Sequence, residues 1–354
     1  MDPDSYFQRE VLMRNIITLA MALVFASPGF AHHSDAGIDM ESVMTLQGTI
    51  IELNWRNPHI YFTMESVDVS GEITEWEVQM GSTVTAARRG WERDSFSAGD
   101  EVTVLAHPAR DGRRYAIRSR DAGSLAVEGE IIFSEPLYAA EVTAATSSLE
   151  GTWMANMSER VNYPGGFDGY FRAQLRLTEE GAAAQAAYDG ISDENPHSRC
   201  IGRPTPAMII STDLYALQIE INEEEEIVVI RSEFWDEERT VHMDGRAHPG
   251  DSERFAGGHS IGWWDEDALV VDTANFTDHR SPYQMGVPSG AQKHVVERYR
   301  LNEEGTRVIV EFTLEDPEYI AEPLTHTREL IYSPQIEISR YGCNVESARR
   351  FVPQ

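Results

Sequence analysis
Between positions 239 and 298 the chain gathers side chains able to move protons or hold charge, and five of its eleven histidines fall between 242 and 294. Alternation along an extended strand sorts them. Over 294–301, Val295, Glu297, Tyr299 and Leu301 share one face, and His294, Val296, Arg298 and Arg300 share the other. The first face is the more apolar, so Glu297 is expected to point into a core. A carboxyl group among Val, Tyr and Leu has a raised pKa, which suits a general acid or base near neutrality. Pairing with an arginine such as Arg239 is the structural alternative. Asp272 lies in the apolar run 268–274, and His259 follows two glycines whose bareness lets a ligand approach. Glu297, His259 and Asp272 therefore form the expected catalytic set. Arg239, Arg298, His248, Tyr299 and Trp263 are expected to contact substrate, the arginines stabilising an anion or carbonyl.

The chemistry this suggests is cofactor-independent: a lyase, hydratase or isomerase acting on a small, largely apolar ligand. The same cavity without turnover would make a ligand carrier. Nucleophilic catalysis fits less well, because Gly258-His259-Ser260-Ile261-Gly262 lacks the strand-to-helix context of a hydrolase elbow. Neither a phosphate loop nor a dinucleotide fingerprint occurs. Asp244-Gly245 reads as a tight hairpin turn, and the acidic run 223–226 as a solvated one. A second alternative is metal binding. If processing leaves His32 first, its amine and imidazole with His33 make a chelate that copper(II) favours, and His59 in Asn57-Pro58-His59 could complete the set.

Composition narrows the partners. Lys and Arg number 29 against 59 Asp and Glu, a formal charge of −30 over 354 residues. Nucleic acid is excluded as a partner, since phosphate affinity rests on Lys and Arg, and docking on an anionic membrane is disfavoured. Arg14, the apolar run 16–26, and small residues at Gly29 and Ala31 read as a secretory signal over 1–31, with Met13 as the natural start. That run is about half the ~20 residues of a membrane span. The mature chain is thus expected to be periplasmic or secreted, without a membrane span. In that compartment Cys200 and Cys343 are expected to pair.

Short Val-, Ile- and Thr-rich runs must position these groups. Those at 44–53, 60–65, 73–80, 101–106 and 115–118, with one helix over 82–91 capped by Ser82, give an OB-like barrel over 32–121. A connector over 122–148 follows, with one strand near 126–133. Over 149–354 further strands are expected, among them 171–177, 208–210, 215–221, 239–243, 294–301 and 336–342, with one helix at 178–188. Their regular spacing argues a meander closed into a larger antiparallel barrel. The fold class is all-β.

Several motifs resemble known families. Ala31-His32-His33-Ser34, Asn57-Pro58-His59, Arg88-Arg89-Gly90-Trp91 and Ala98-Gly99-Asp100 resemble an uncharacterised family of exported bacterial domains, over about 31–120. Met243-Asp244-Gly245-Arg246, Gly258-His259-Ser260, Leu269-Val270-Val271-Asp272-Thr273 and His294-Val295-Val296-Glu297-Arg298 resemble a second widespread bacterial family of unknown function, with both cysteines at family positions. Gly151-Thr152-Trp153 resembles the opening motif of lipocalins, which implies a lipocalin-like barrel around a small-molecule cavity. Neither family implies a reaction.

Overall fold
A computed structural model describes residues 37–67, 70–120, 123–132, 144–156, 162–163 and 166–353. The expected signal, His32 and His33 lie outside the described residues. Two closed barrels follow one another. The first contains β1 (Met44–Asn54), β2 (Tyr61–Val67), β3 (Ile73–Gln79), β4 (Glu101–Pro108) and β5 (Tyr115–Arg118), ordered β1-β2-β3-β5-β4 with β4 returning to β1. Gly48 sits at that closure, opposite Ser66 on one side and Val102 on the other. A Cβ there would lie 1.8 Å from the Glu65 carbonyl oxygen, so only glycine lets the strands meet. Leu46, Ile50, Phe62, Met64, Val78, Val104, Trp91 and Phe96 fill the interior. The helix Thr83–Ala87 is capped by Ser82, whose hydroxyl accepts from the Thr85 amide.

β6 (Leu125–Val127) and β7 (Glu130–Ile131) extend the first sheet from β4, so the connector opens with strands of the first barrel. The chain's end also returns to this barrel. Phe351 packs with Ile38, Tyr61 and Tyr115, because a tail beyond the last strand can bury its aromatic only against a neighbouring surface.

The second barrel has nine strands in chain order: β8 (Gly151–Ala155), β9 (Leu217–Asn222), β10 (Ile227–Ser232), β11 (Glu237–His242), β12 (His259–Asp265), β13 (Ala268–Ala274), β14 (His294–Leu301), β15 (Arg307–Glu315) and β16 (Leu324–Tyr332), closing on β8. An odd ring of sequential strands cannot alternate direction all the way round. One pair must be parallel, and it is β11–β12, with Val241 opposite Ser260. Residues 243–258 therefore run back along the strand direction. Asp244-Gly245 opens that return; it does not close a two-residue hairpin, because the following strand runs parallel to β11.

Connections differ at the two ends. Short turns at 223–226, 266–267 and 302–306 close one end, whereas 166–216, 233–236 and 275–293 crowd the other. At this crowded end the expected strands at 171–177 and 208–210 are helical, as Gly166–Gln174 and Ala207–Ile210. Phe167 and Phe171 are four residues apart and both buried, the spacing of one helix face. With Ile209 and Ile210 they join the core formed by Leu217, Val271, Val295 and Phe312. Burial of a continuous apolar face decided the conformation over the strand preference of the aromatics. The expected strand at 336–342 is irregular.

Cys200 and Cys343 form a disulfide, Cα atoms 5.8 Å apart and 143 positions apart in sequence, as expected. It ties the 3-10 turn Pro196–Arg199 to the tail beyond β16. Closing a loop of that length contributes up to about 5 kcal/mol in the chain-entropy treatment. Replacing both cysteines by serine should lower the denaturant midpoint without changing β content by circular dichroism. An unchanged midpoint would show that the tail is held by packing alone.

Candidate functional site
Inside the second barrel Glu297 points inward, as the alternation of β14 requires, and is fully buried. Arg239 on β11 meets it, Nη2 to Oε2 at 2.6 Å. The same guanidinium donates through Nη1 to Thr273 Oγ1 at 3.0 Å and through Nη2 to the Tyr299 hydroxyl at 3.5 Å. Thr273 in turn lies 2.9 Å from the Ser260 hydroxyl. Burial is the largest influence on Glu297 and raises its pKa, while Arg239 opposes that rise. The arrangement is the ion pair that the sequence offered as the structural alternative.

The rest of the expected catalytic set is elsewhere. Thr273 and Ser260 face inward, so their neighbours Asp272 and His259 face the outside of the same wall. There Asp272 Oδ1 is 2.7 Å from His294 Nε2 and 3.2 Å from His248 Nε2, and His248 Nδ1 is 3.0 Å from His259 Nδ1. Arg298, on the outer face too, pairs with Asp265 at 2.6 Å, and Trp263 is 46 % exposed. The expectation of one interior site built on Glu297, His259 and Asp272 is therefore corrected: the wall divides them. Of the expected substrate contacts, Arg239 and Tyr299 belong to the interior, and His248, Arg298 and Trp263 to the exterior.

The described residues do form a cavity of about 280 Å³, where the crowded end of the second barrel meets the first. Arg88, just after the capped helix, sets this junction. Its Nη1 donates to the Leu214 carbonyl at 2.7 Å and its Nη2 to Glu233, a fully buried carboxylate. The Tyr215 hydroxyl bonds the Ser82 hydroxyl at 3.1 Å, and Tyr341 packs with Tyr215 and Phe234. Trp235 enters the wall from a turn in which it and Asp236 have φ of 61° and 55°. Left-handed backbone costs roughly 1–2 kcal/mol for each such residue, and Asp236 holds the turn by accepting from the Tyr341 and Gly342 amides.

The cavity is cationic. Arg89, Arg118, Arg120 and Arg203 line it with two carboxylates, Asp168 and Asp213. Arg118 is pushed down to about 10, first by burial and then by the charges of Arg89 and Arg120. Arg203 lies over the Phe234 ring at 4.8 Å and bonds Asp168 at 3.3 Å and Ser211 at 3.1 Å. His59 lines the floor. Burial and then Arg120 lower it to about 4, a Met80 backbone hydrogen bond opposing, and its Nδ1 has no partner among the described residues. Sequence reasoning missed this site. The available signal was eight arginines within 88–120, in a chain with twice as many acidic as basic residues.

It also missed Lys293, the chain's single lysine. It is buried, with Nζ 4.4 Å from the Phe276 centroid and 5.3 Å from that of Tyr283. Burial lowers its pKa to about 7, partly offset by Asp316.

The profile of a family of unknown function (DUF6152) matches residues 21–118, which contain the first barrel's five closing strands. Residues 21–118 are thus similar to an uncharacterised domain family. No curated protein matches the chain.

Two tests follow from these buried charges. Glu297→Gln leaves Arg239 buried opposite a neutral amide and should cost about 3–5 kcal/mol, with much of the loss recovered in Glu297→Gln/Arg239→Met. Urea melts of the single and double variants check this; an unchanged midpoint for Glu297→Gln would refute the structural pair. The second concerns pH. An unfolded lysine keeps its proton to about 10.4, whereas Lys293 in the folded chain loses it near 7. Between pH 7 and 9 the unfolded state binds more protons, so this group makes stability rise with pH. In Lys293→Met that rise should flatten, as measured by denaturation at each pH.

Proposed function
We propose that this is an exported carrier that binds a small organic anion in the cleft between its OB-like and lipocalin-like barrels. One observation carries the reading. The cleft presents four arginines to two aspartates, while the chain as a whole has 29 basic residues to 59 acidic. Gathering like charges in a half-buried space opposes folding, and an anionic ligand offsets that cost. Trp91, Phe234, Trp235 and Tyr341 supply flat apolar walls, which suits an aromatic or other planar carboxylate. At about 280 Å³ the space fits a ligand near the small end of the ~300–1,000 Å³ range of such sites.

Magnitude favours carrying over turnover. A general base works best with a pKa near the ambient pH, and His59 lies near 4. At neutrality it is an uncharged acceptor, fit to receive a hydrogen bond from a ligand hydroxyl. The lyase, hydratase or isomerase reading rested on Glu297, His259 and Asp272, which do not share a cavity. Export is supported by the secretory pattern over 1–31 and by the disulfide. Copper binding through His32, His33 and His59 has less support, because His59 is buried in the cleft and accompanied by Arg120.

Arg118→Met keeps the apolar stem but removes the charge. Calorimetric titration with benzoate and 4-hydroxybenzoate should show Kd rising about tenfold or more, as expected for a lost charge-assisted contact. Arg118 also donates to the Ser124 hydroxyl and lies 5.8 Å over the Trp91 ring, so circular dichroism and a thermal melt check that the variant is folded. Unchanged affinity, or binding by neither wild type nor variant, would overturn the reading.

A further inference from the structure
The outer wall of the second barrel carries a feature that the cleft does not use. The return segment 243–258 brings His248 back beside His259, the first residue of β12, and His242 ends the parallel partner strand β11. The His242 and His259 rings lie 5.2 Å apart between centroids, and so do those of His248 and His259. We infer that His242, His248 and His259 form a binding site for one divalent transition ion, zinc or copper(II), with Asp272 as the carboxylate that orients His248.

The distances support this. Nitrogen ligands sit about 2.0–2.1 Å from zinc, so two imidazoles on one ion have nitrogens about 3 Å apart and ring centres about 5 Å apart. His248 Nδ1 and His259 Nδ1 are 3.0 Å apart. Two lone pairs cannot face one another at that distance. In the ion-free protein one nitrogen must hold a proton and donate it to the other.

Asp272 assigns that proton. His248 Nε2 lies 3.2 Å from Asp272 Oδ1, so it carries hydrogen and donates, which leaves the lone pair on His248 Nδ1. A carboxylate behind a ligating imidazole is the usual outer-shell support, fixing tautomer and ring orientation. His294 Nε2 holds the same Asp272 oxygen at 2.7 Å. As the ion enters, neutral His259 changes tautomer: its single ring proton passes through solvent from Nδ1 to Nε2, with no net release, and the Nδ1 lone pair is left for the ion. Among the described residues no three His, Cys, Asp or Glu side chains are already converged as a complete cage, so His242 must turn its ring toward the shared point. Nearby Arg246 is engaged by Asp244, bidentate through Nε at 2.9 and 3.0 Å. Three imidazoles with an open fourth position fit a borderline ion, and copper(II) should outcompete zinc.

Zinc alone is the probe. Full-length processed protein, dialysed against micromolar zinc at neutral pH, should retain about one equivalent by elemental analysis. His259→Ala and His248→Ala should lose it. Asp272→Asn should weaken binding about 10–100-fold, the usual effect of removing an outer-shell partner. Circular dichroism and retained benzoate binding confirm that each variant is folded. Zinc retained undiminished by His259→Ala would assign it elsewhere, with His32 and His33 as first suspects, and overturn the proposal. No zinc retained by the wild type would overturn it as well.

Discussion
A carboxylate with no solvent contact, Glu233, holds the two barrels in register. Its Oε2 accepts from Arg88 of the first barrel and from the Ala216 amide at 2.8 Å, and its Oε1 accepts from the Ser339 amide at 2.8 Å. A buried charge is tolerated only where its lone pairs are met, and these partners come from three separate stretches of chain. The entry to β9, the turn before β11 and the tail beyond β16 are thereby pinned to one point. The arginines of the first barrel can then face the aromatic turn of the second at fixed separation. A cavity that depends on two modules needs such a constraint, because otherwise the modules can move apart.

The second barrel shows how strand count shapes surface chemistry. Nine sequential strands force one parallel neighbour, and the parallel neighbour forces a long return. That return is what lays His248 against the outer wall. The period-two alternation of β12, β13 and β14 then separates an interior pair, Arg239 with Glu297, from an exterior set of imidazoles around Asp272. Adjacent residues in sequence thus serve different chemistries on opposite sides of one sheet.

Much of this could be read in one dimension. Turn dipeptides and alternation gave both barrels, Ser82 marked the cap of its helix, and alternation along β14 placed Glu297 inside. The charge balance announced an acidic protein, and the two cysteines in a chain with a secretory pattern announced their bond. These are local or pairwise properties, fixed by backbone sterics, side-chain period and redox compartment. The site was less legible. Alternation applied to β12 and β13 would have parted His259 and Asp272 from Glu297. No rule of spacing, however, brings Arg118, Arg203, Trp235 and Tyr341 into one cleft. They are scattered over more than two hundred positions and meet where a buried ion pair, the Tyr215–Ser82 hydrogen bond and the returning tail dock one barrel on the other. Tertiary structure also decided that Phe167 and Phe171 form a helix, since burying one apolar face outweighed their preference for strand. The sequence by itself determined which segments extend, cap and cross-link. Which charges share a low-dielectric space was decided by the packing of distant segments, because desolvation depends on every group that excludes water.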